Sequence, residues 1–347
     1  MTLSTPSSRF KTVLRTATLS AATLLVGLTV GQTAFAQGKG LDEPFRAGYK
    51  STLAGKTVAF VPVAMGFDLA QGWYEGLKKE LEPLGVKVIS RDPNWNTNAG
   101  AQAVTSLISE KPDVIVVHNP DVQTYAKLLQ RAEEAGIQVV QVNMRSNYSS
   151  VLYVGVDWVD IGEKATNAVV QACQGKSNKI AIVQGALSAA ASAYTLKGVE
   201  NVLAKNPDIK VVSSQASDWD AAKAKGITQT VLKQHPDLCG IVGFWDGHDS
   251  GTAAAIKEAG LTGKVFLATS GGGEQKGACD QVKSGAFDLN LSYDVPTQAS
   301  NMASSIKWLL QNKGKTGTAK GSIYTTIIPI TKANASIEGT CWKLGKA

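Results

Sequence analysis

The sequence has 347 residues, of which 44% are hydrophobic and 18% charged, and its net charge at pH 7 is +7. This length exceeds one typical domain of roughly 100–200 residues, so we expect two domains. The cations form no Lys/Arg block, since the nearest pair, Lys78-Lys79, lies beside Glu80 and Glu82. Composition and charge therefore exclude nucleic-acid binding as an expected function.

The N-terminus has the pattern of a secretory signal peptide. Three cations precede an apolar stretch at 17–30, and Ala34-Phe35-Ala36 follows as a small-x-small cleavage site. The stretch is shorter than the roughly 20 apolar residues of a membrane span, and an uncleaved anchor is the disfavoured alternative. We predict cleavage after Ala36 and export to the periplasm. Because residues 1–36 contain three cations and no acid, the mature chain carries +4.

From residue 57 onward, short β-branched runs alternate with longer helical patterns. Strands are predicted at Thr57–Val63, Val86–Ile89, Val114–Val117 and Gln138–Val142. Helices are predicted at Gly72–Leu84, Ala99–Ser109 and Val122–Ala135. This alternation is typical of a parallel sheet covered by helices.

A second, similar series follows Tyr148. Its predicted strands are Ile180–Val183, Lys210–Ser213, Gly240–Phe244 and Val265–Ala268. Its predicted helices are Val159–Gln174, Ala191–Lys205, Ala221–Gln234 and Ser250–Ala259. No low-complexity linker separates the two halves, so we expect short extended crossings that act as hinges.

The four cysteines, Cys173, Cys239, Cys279 and Cys341, form no C-x-x-C pair. This spacing disfavours a zinc site and a thioredoxin-type motif. In an oxidising compartment two disulfides can form, with three pairings open. We expect Cys279 with Cys341, which would tie the C-terminal tail to a helix, whereas Cys173 and Cys239 could instead be buried free thiols.

Polar and aromatic residues follow the predicted strands. They are Phe67-Asp68, Asn94-Trp95-Asn96, His118-Asn119, Asn143 with Arg145, Asp218-Trp219-Asp220 and Trp245-Asp246. In open parallel sheets the ligand lies beyond the carboxyl ends of the strands. Carboxylates and amides bind hydroxyls while rings cover C–H faces, so the pattern favours a polyhydroxylated ligand. Helix capping is the alternative explanation, but it does not account for tryptophans at loop tips.

Enzyme motifs are weak in this sequence. The glycine run at 271–273 is not a phosphate loop, because Lys276 stands where the last glycine of G-x-G-x-x-G would be. The histidines form no H-E-x-x-H pair, and no G-x-S-x-G elbow occurs. We therefore expect no catalytic residue, cofactor or metal. The rival hypothesis is an exported enzyme that uses Asp246, His248 and Asp294.

One segment resembles a known family. Phe244-Trp245-Asp246 is followed by Gly251 and by Ala-Ala-Ile-Lys-Glu-Ala-Gly at 254–260. This is similar to the strand, ligand-contacting Asp and small-residue helix of the periplasmic sugar-binding proteins of ABC importers. The resemblance is to the ribose-binding-protein-like group of type I periplasmic binding proteins, and it covers 56–331.

The resemblance implies a set of ligand-binding residues. Asn143 and Arg145 stand where the family has an Asp-Arg pair, with an amide and one extra residue here, so Arg145 corresponds to the family's pair better than Asn143 does. Trp219 corresponds to the aromatic residue that stacks on the sugar, and Thr230 to a frequent binding Asn. The complete implied set is Phe67, Asp68, Trp73, Asn143, Arg145, Trp219, Thr230, Trp245, Asp246, Tyr293 and Asp294.

Two departures from the family pattern indicate a rebuilt pocket. Ala193 occupies the position of a sugar-clamping Arg, and Leu69-Ala70 replaces a pair of Phe residues. The resemblance therefore does not imply ribose itself. Other pentoses, hexoses and acyclic polyols stay open.

The resemblance implies an α/β fold with two doubly wound parallel-sheet (Rossmann-like) domains joined by a three-segment hinge. The expected N-terminal domain is 41–147 plus 296–322, and the C-terminal domain is 148–295 plus 323–347. The expected crossings are Asn143–Tyr148, Tyr293–Pro296 and Ile323–Ile328.

The implied function is a non-catalytic periplasmic receptor. It would capture a monosaccharide or polyol by hinge closure and deliver it to the permease of an ABC importer in the inner membrane. We expect a monomer with no nucleic-acid partner. A receptor for a non-sugar polar solute, or a partner of a chemoreceptor or sensor, is the alternative.

Overall fold

A computed structural model describes residues 46–312 and 320–345, so the predicted signal peptide lies outside the described residues. The helices are α1 (Arg46–Leu53), α2 (Asp68–Leu81), α3 (Thr97–Glu110), α4 (Ala126–Glu134), α5 (Trp158–Cys173), α6 (Ala190–Leu203), α7 (Ala221–Gln234), α8 (Asp246–Glu258), α9 (Asp280–Ser284) and α10 (Val295–Gln311). The strands are β1 (Thr57–Val61), β2 (Lys87–Ser90), β3 (Val114–Val117), β4 (Gln138–Val142), β5 (Leu152–Gly155), β6 (Lys179–Gln184), β7 (Lys210–Ala216), β8 (Gly240–Gly243), β9 (Phe266–Gly271), β10 (Leu289–Ser292), β11 (Gly321–Tyr324) and β12 (Ile328–Ile330). A 3₁₀ turn follows α2 at Glu82–Leu84, and a π-helical turn precedes α9 at Gln275–Cys279.

The first sheet has six parallel strands in the order β11-β5-β4-β3-β1-β2. Every residue of β3 and β4 is buried. The valine and isoleucine run of β3 suits a strand that is covered by helices on both faces, because no side of the strand needs to be polar. The predicted parallel sheet of the first half is confirmed.

The second sheet has the order β12-β10-β9-β8-β6-β7. All its pairs are parallel except β10 with β12, which is antiparallel. The two sheets with their helices form two α/β domains, and the predicted fold class is confirmed. Strands β1 to β5 of the first domain occupy the same sheet positions as β6 to β10 of the second.

Strand pairing differs from the sequence-based boundaries at two points. Strand β5 pairs with β4, although the boundary at 147/148 precedes it. Strand β11 pairs with β5, although the boundary at 322/323 divides it. No helix stands between β4 and β5, so the strand–helix alternation that guided the prediction does not hold there. By strand pairing, the chain leaves the first sheet after Gly155, returns to it after β10, and leaves it again after Tyr324.

Close contact between α5 and α6 fixes the start of both helices in the second domain. A Cβ on Gly162 would lie 2.1 Å from the carbonyl oxygen of Thr195, and a Cβ on Gly198 would lie 2.1 Å from that of Val159. The helix backbones therefore touch at a distance that only glycine permits. This contact positions Trp158 and Ala191, which both face the candidate site.

Both pairs of cysteines form disulfides. Cys279 is bonded to Cys341, which confirms the predicted pairing. Cys173 is bonded to Cys239, so these residues are not free thiols. The tail beyond Cys341 is held further by the indole N–H of Trp342, which donates to the carbonyl oxygen of Gly272 at 2.8 Å.

Candidate functional site

A cavity lies where the carboxyl ends of strands from both sheets meet. Its free volume is about 40 Å³. Its wall is formed by Val63, Phe67, Leu69, Trp95, His118, Asn143, Met144, Trp158, Ala191, Trp219, Phe244, Trp245 and Tyr293. This volume holds only a few water molecules, at roughly 10–15 Å³ each. A sugar can enter only when the side chains of the wall move apart.

Four aromatic rings of the wall form a cluster that joins the two domains. Phe67 stacks on Trp95 with ring centroids 5.4 Å apart, and its edge meets Trp245 at 5.7 Å. Trp245 also lies 6.2 Å from Trp219 and 6.4 Å from Trp95. Phe67 and Trp95 belong to the first domain, whereas Trp219 and Trp245 belong to the second. The faces of such rings suit the C–H surface of a ligand.

Two glycines fix the tryptophans of the second domain. A Cβ on Gly185 would lie 2.0 Å from the indole of Trp219, and a Cβ on Gly247 would lie 2.3 Å from the indole of Trp245. The indole of Trp219 therefore lies directly on the backbone at the end of β6, and the indole of Trp245 lies on the first turn of α8. A ring held in this way is ordered before the ligand arrives, which lowers the entropic cost of binding.

His118 and Asn143 supply the polar atoms of the wall. Neither imidazole nitrogen of His118, nor the side-chain oxygen of Asn143, has a hydrogen-bond partner among the described residues. Burial lowers the pKa of His118 to about 3, so its imidazole is neutral at physiological pH and offers one donor and one acceptor. The wall therefore offers hydrogen bonds without a charged group.

The orientation of Asn143 is set by its backbone. Its φ of 61° lies in the left-handed region, directly after β4. Its carbonyl oxygen accepts hydrogen bonds from the indole N–H of Trp158 and from the hydroxyl of Tyr153, each at 2.8 Å. These bonds hold a backbone conformation that asparagine tolerates better than most residues.

Two carboxylates from different domains lie beside the cavity. Asp68 begins α2, and Asp246 begins α8. A Cβ on Gly277 would lie 3.7 Å from Oδ2 of Asp68 and 3.9 Å from Oδ2 of Asp246, so both oxygens face the same point. Asp246 Oδ2 accepts a hydrogen bond from the side-chain amide of Asn290 at 2.9 Å.

Burial changes the protonation of this pair. Burial, together with the negative charge of Glu274, raises the pKa of Asp68 to about 6. Burial and the charge of Asp68 raise the pKa of Asp246 well above its usual value. When both carboxylates are ionised, their repulsion and their poor solvation disfavour an arrangement in which they lie close together.

Five of the eleven residues implied by the resemblance line the cavity, namely Phe67, Asn143, Trp219, Trp245 and Tyr293. Tyr293 shares a hydrogen bond of 2.6 Å with Ser270, so its hydroxyl is already engaged. Trp73 is fully buried behind the wall, where its ring meets His118 at 5.1 Å and its N–H donates to Gln298 at 2.8 Å.

Arg145, Thr230 and Asp294 lie outside the wall. The guanidinium of Arg145 lies 4.0 Å from the ring centroid of Tyr153 and donates to the hydroxyl of Tyr324. Met144 takes the place in the wall beside Asn143, so the extra residue in this segment carries Arg145 away. Thr230 is exposed and donates to a backbone carbonyl one turn earlier in α7, and Asp294 caps α10.

Trp95 and His118 belong to the wall although neither is in the implied set. Both are among the polar and aromatic residues that follow the predicted strands, but the resemblance gives neither of them a role. A comparison of the two halves supports Trp95, since Asn94-Trp95-Asn96 follows β2 and Asp218-Trp219-Asp220 follows β7, the strand at the matching edge of the second sheet.

The residues of the rival enzyme hypothesis are not arranged as an accessible acid–base group. His248 and Asp249 lie 3.4 Å apart between Nε2 and Oδ1, and neither has exposed surface. Asp294 is engaged at its helix terminus. Within 46–312 and 320–345, no three His, Cys, Asp or Glu side chains are placed to hold a metal ion. No helix in those ranges is long and apolar enough to cross a membrane.

A family model for the periplasmic binding protein domain matches residues 58–315. The chain belongs to the periplasmic binding protein family. The predicted resemblance is confirmed, and members of this family are binding proteins and not enzymes. The matched range includes every residue of the cavity wall.

Among curated relatives of this periplasmic binding protein is the xylitol-binding protein of Mycolicibacterium smegmatis, 28% identical over 215 residues, or 61% of this chain and 60% of the relative. The ribose import binding protein of Bacillus subtilis is 26% identical over 187 residues, or 54% of this chain and 60% of the relative. Each match thus spans less than two thirds of the relative's own length.

A solved structure shows the same fold over most of the chain. The ABC transporter solute-binding protein from Burkholderia graminis, in complex with D-arabinose, is 25% identical, with a TM-score of 0.74. The match covers 82% of this chain and 98% of that one. A galactofuranose-binding protein matches with a TM-score of 0.73 at 20% identity, which supports the fold alone.

Proposed function

We propose that this periplasmic binding protein captures a neutral monosaccharide or polyol and delivers it to the permease of an ABC importer. The observation that carries the proposal is the wall of the cavity, in which every side chain is uncharged and aromatic rings come from both domains. Such a wall disfavours an amino acid or another charged solute, because a buried charge needs a partner of opposite sign. The ligands after which the relatives are named, xylitol and ribose, and the D-arabinose bound in the similar solved structure agree with this ligand class.

The mechanism that we propose is closure of the two domains about three crossings. The hydroxyl oxygen of Thr325 links them, since it lies 2.9 Å from the carbonyl oxygen of Tyr293 and 3.3 Å from that of Gly155. The side-chain amide of Gln298 donates to the same oxygen at 3.3 Å. A ligand that touches both aromatic walls makes more contacts in the closed state, and this difference shifts the equilibrium toward closure.

The domain ranges that we propose follow strand pairing. The first domain comprises 46–155 with 295–324, and the second comprises 156–294 with 325–345. Export through cleavage after Ala36, a periplasmic location and a monomeric state complete the proposal. The sequence of residues 9–36 supports export, and the family supports the location.

A ligand panel tests the ligand class. Purified protein is heated with D-ribose, D-xylose, D-arabinose, D-allose, xylitol and a set of amino acids. We expect at least one sugar or polyol to raise the melting temperature, because a ligand that binds only the folded state stabilises it. If only amino acids or peptides raise it, the proposal is wrong.

Two tryptophan variants test the site. Trp245→Ala should weaken binding of the active sugar by at least about tenfold, or roughly 1.4 kcal/mol, because it removes a ring from the wall. Trp308→Ala is the matched control, since Trp308 is 58% exposed on α10 and lies outside the cavity. An equal loss of sugar affinity in both variants, measured by calorimetry, would mean that the cavity is not the binding site.

A further inference from the structure

A second chamber adjoins the cavity on its outer side. Its volume is about 500 Å³, more than ten times that of the inner cavity. Val63, Trp95, Met144 and Trp219 belong to the walls of both spaces, so the two are direct neighbours. The remaining wall is formed by Pro93, Asn96, Thr97, Pro120, Asp121, Tyr125, Ala186, Ser188, Asp218, Asp220 and Ala221.

Both domains build the chamber, and they do so with matching loops. Asn94 and Trp95 have φ values of 47° and 64°, and Asp218 and Trp219 have φ values of 54° and 66°. Two consecutive non-glycine residues in the left-handed region are rare, and here they occur twice at equivalent strand ends. Conformations of this kind persist where the surrounding structure enforces them, and they cluster at functional sites.

The residue after each pair then caps a helix. Asn96 accepts from the backbone N–H of Ala99, and Asp220 accepts from that of Lys223. Each loop thereby holds its tryptophan between the inner and outer spaces. Trp95 is 50% exposed and lies on the walls of both spaces.

The chemistry of the outer wall differs from that of the inner one. Three carboxylates, an amide and three hydroxyl-bearing side chains line it together with the indoles of Trp95 and Trp219. Asp121 and Asp220 accept backbone hydrogen bonds, and Asp218 pairs with Lys223. Each carboxylate has about four lone-pair sites, so acceptors remain for hydroxyl donors. Acceptors beside indole faces are the groups that a sugar ring needs.

We propose that the outer chamber is a second sugar subsite, and that the cleft binds a glycoside of two sugar units more tightly than the monosaccharide that it also accepts. One ring would occupy the inner cavity and the second would lie between Trp95 and Trp219. This inference rests on the proposed function, because it extends the ligand of the same cleft.

The first test compares matched sugars by calorimetry. D-xylose, D-glucose and D-galactose are titrated alongside xylobiose, cellobiose, maltose and melibiose. We expect one disaccharide to bind at least about tenfold more tightly than each of its constituent sugars, since the second ring adds contacts without a second loss of free translation. A monosaccharide that binds as tightly as every disaccharide overturns the inference and leaves the proposed function intact. Failure of every sugar and polyol overturns both.

A plug variant tests the location of the second ring. Ser188 is exposed, lines the outer chamber and is absent from the inner wall. Ser188→Phe should lower disaccharide affinity at least about tenfold and change monosaccharide affinity less than about twofold. Ser284→Phe is the matched control, because Ser284 is exposed on α9 in a separate groove. Unchanged disaccharide affinity in Ser188→Phe, or equal loss for both sugars, overturns the second subsite.

Discussion

The carboxylate pair of Asp68 and Asp246 makes stability depend on pH, and one substitution removes the contribution of Asp68 to this dependence. Asp68→Asn replaces the carboxylate by a neutral side chain of the same shape. The oxygen that accepts the backbone N–H of Leu69 at 2.9 Å is retained in asparagine. The variant therefore removes the charge while it preserves the local hydrogen bond at the start of α2.

The magnitude follows from the pKa of Asp68. Burial, with the charge of Glu274, raises this pKa from 3.8 to about 6 in the folded protein, so the folded state holds a proton that the unfolded state releases. The stabilisation that protonation supplies is complete below pH 3.8 and is lost as pH rises through about 6. A rise of about 2 in pKa, at roughly 1.4 kcal/mol for each pKa unit, gives about 3 kcal/mol. The variant, which has no such carboxylate, should be more stable than the wild type by about this amount above pH 7 and by much less near pH 4.

Urea unfolding followed by tryptophan fluorescence measures this difference from pH 4.5 to 8. Asp208→Asn provides the matched control, since Asp208 is exposed between α6 and β7 and makes the same change of charge. The reasoning fails if the stabilities of Asp68→Asn and the wild type run parallel across this range. It also fails if Asp208→Asn reproduces the effect.

Two further predictions concern the fold and the hinge. Gly162→Ala should destabilise the protein by about 1–3 kcal/mol in urea unfolding, because the new Cβ would meet a backbone oxygen of α6 at 2.1 Å. Gly226→Ala, with no atom within 4 Å of its Cβ, should instead stabilise α7 by about 0.5–1 kcal/mol. An equal change in the free energy of unfolding for the two variants would contradict the contact between α5 and α6. Thr325→Val should cost about 1–3 kcal/mol, because it leaves buried polar groups at the three crossings unpaired. Thr230→Val, at an exposed site, should cost much less, and a similar loss would argue against a hydrogen-bonded hinge.

The parallel sheets could be predicted because their central strands are rich in β-branched residues. Strands β3 and β4 are buried along their whole length, so β3 is an unbroken run of valine and isoleucine, and β4 is interrupted only by Gln138 and Gln141. β5 and β11 could not be located in the same way. All four residues of β5 are buried, but β5 follows β4 without a helix, so the alternation of strands and helices passes over it. Three of the four residues of β11 are exposed, so β11 does not show the pattern of a central strand. Their place in the first sheet is decided by pairing with distant residues, which a local pattern does not contain.

The aromatic part of the site could be predicted, whereas the polar part was predicted less well. Tryptophans at the ends of strands have few other uses, and Trp219 and Trp245 both line the cavity. Polar residues can satisfy local hydrogen bonds instead. Thr230 donates within its own helix, and Asp294 caps the first turn of α10. Sequence alone does not distinguish a local hydrogen bond from one to a ligand, because the same residue types make both.

In the closure that we propose, the aromatic cluster and the carboxylate pair act in opposite directions. The rings of Phe67 and Trp95 bury apolar surface against Trp245, which favours the closed state. Asp68 and Asp246 oppose it, because closure brings two poorly solvated carboxyl groups close together, where the charge of Asp68 raises the pKa of Asp246. Neither carboxyl group lies on the wall of the cavity, so this opposition acts with or without ligand. Protonation of Asp68 below about pH 6 removes one of the two charges and therefore favours the closed state.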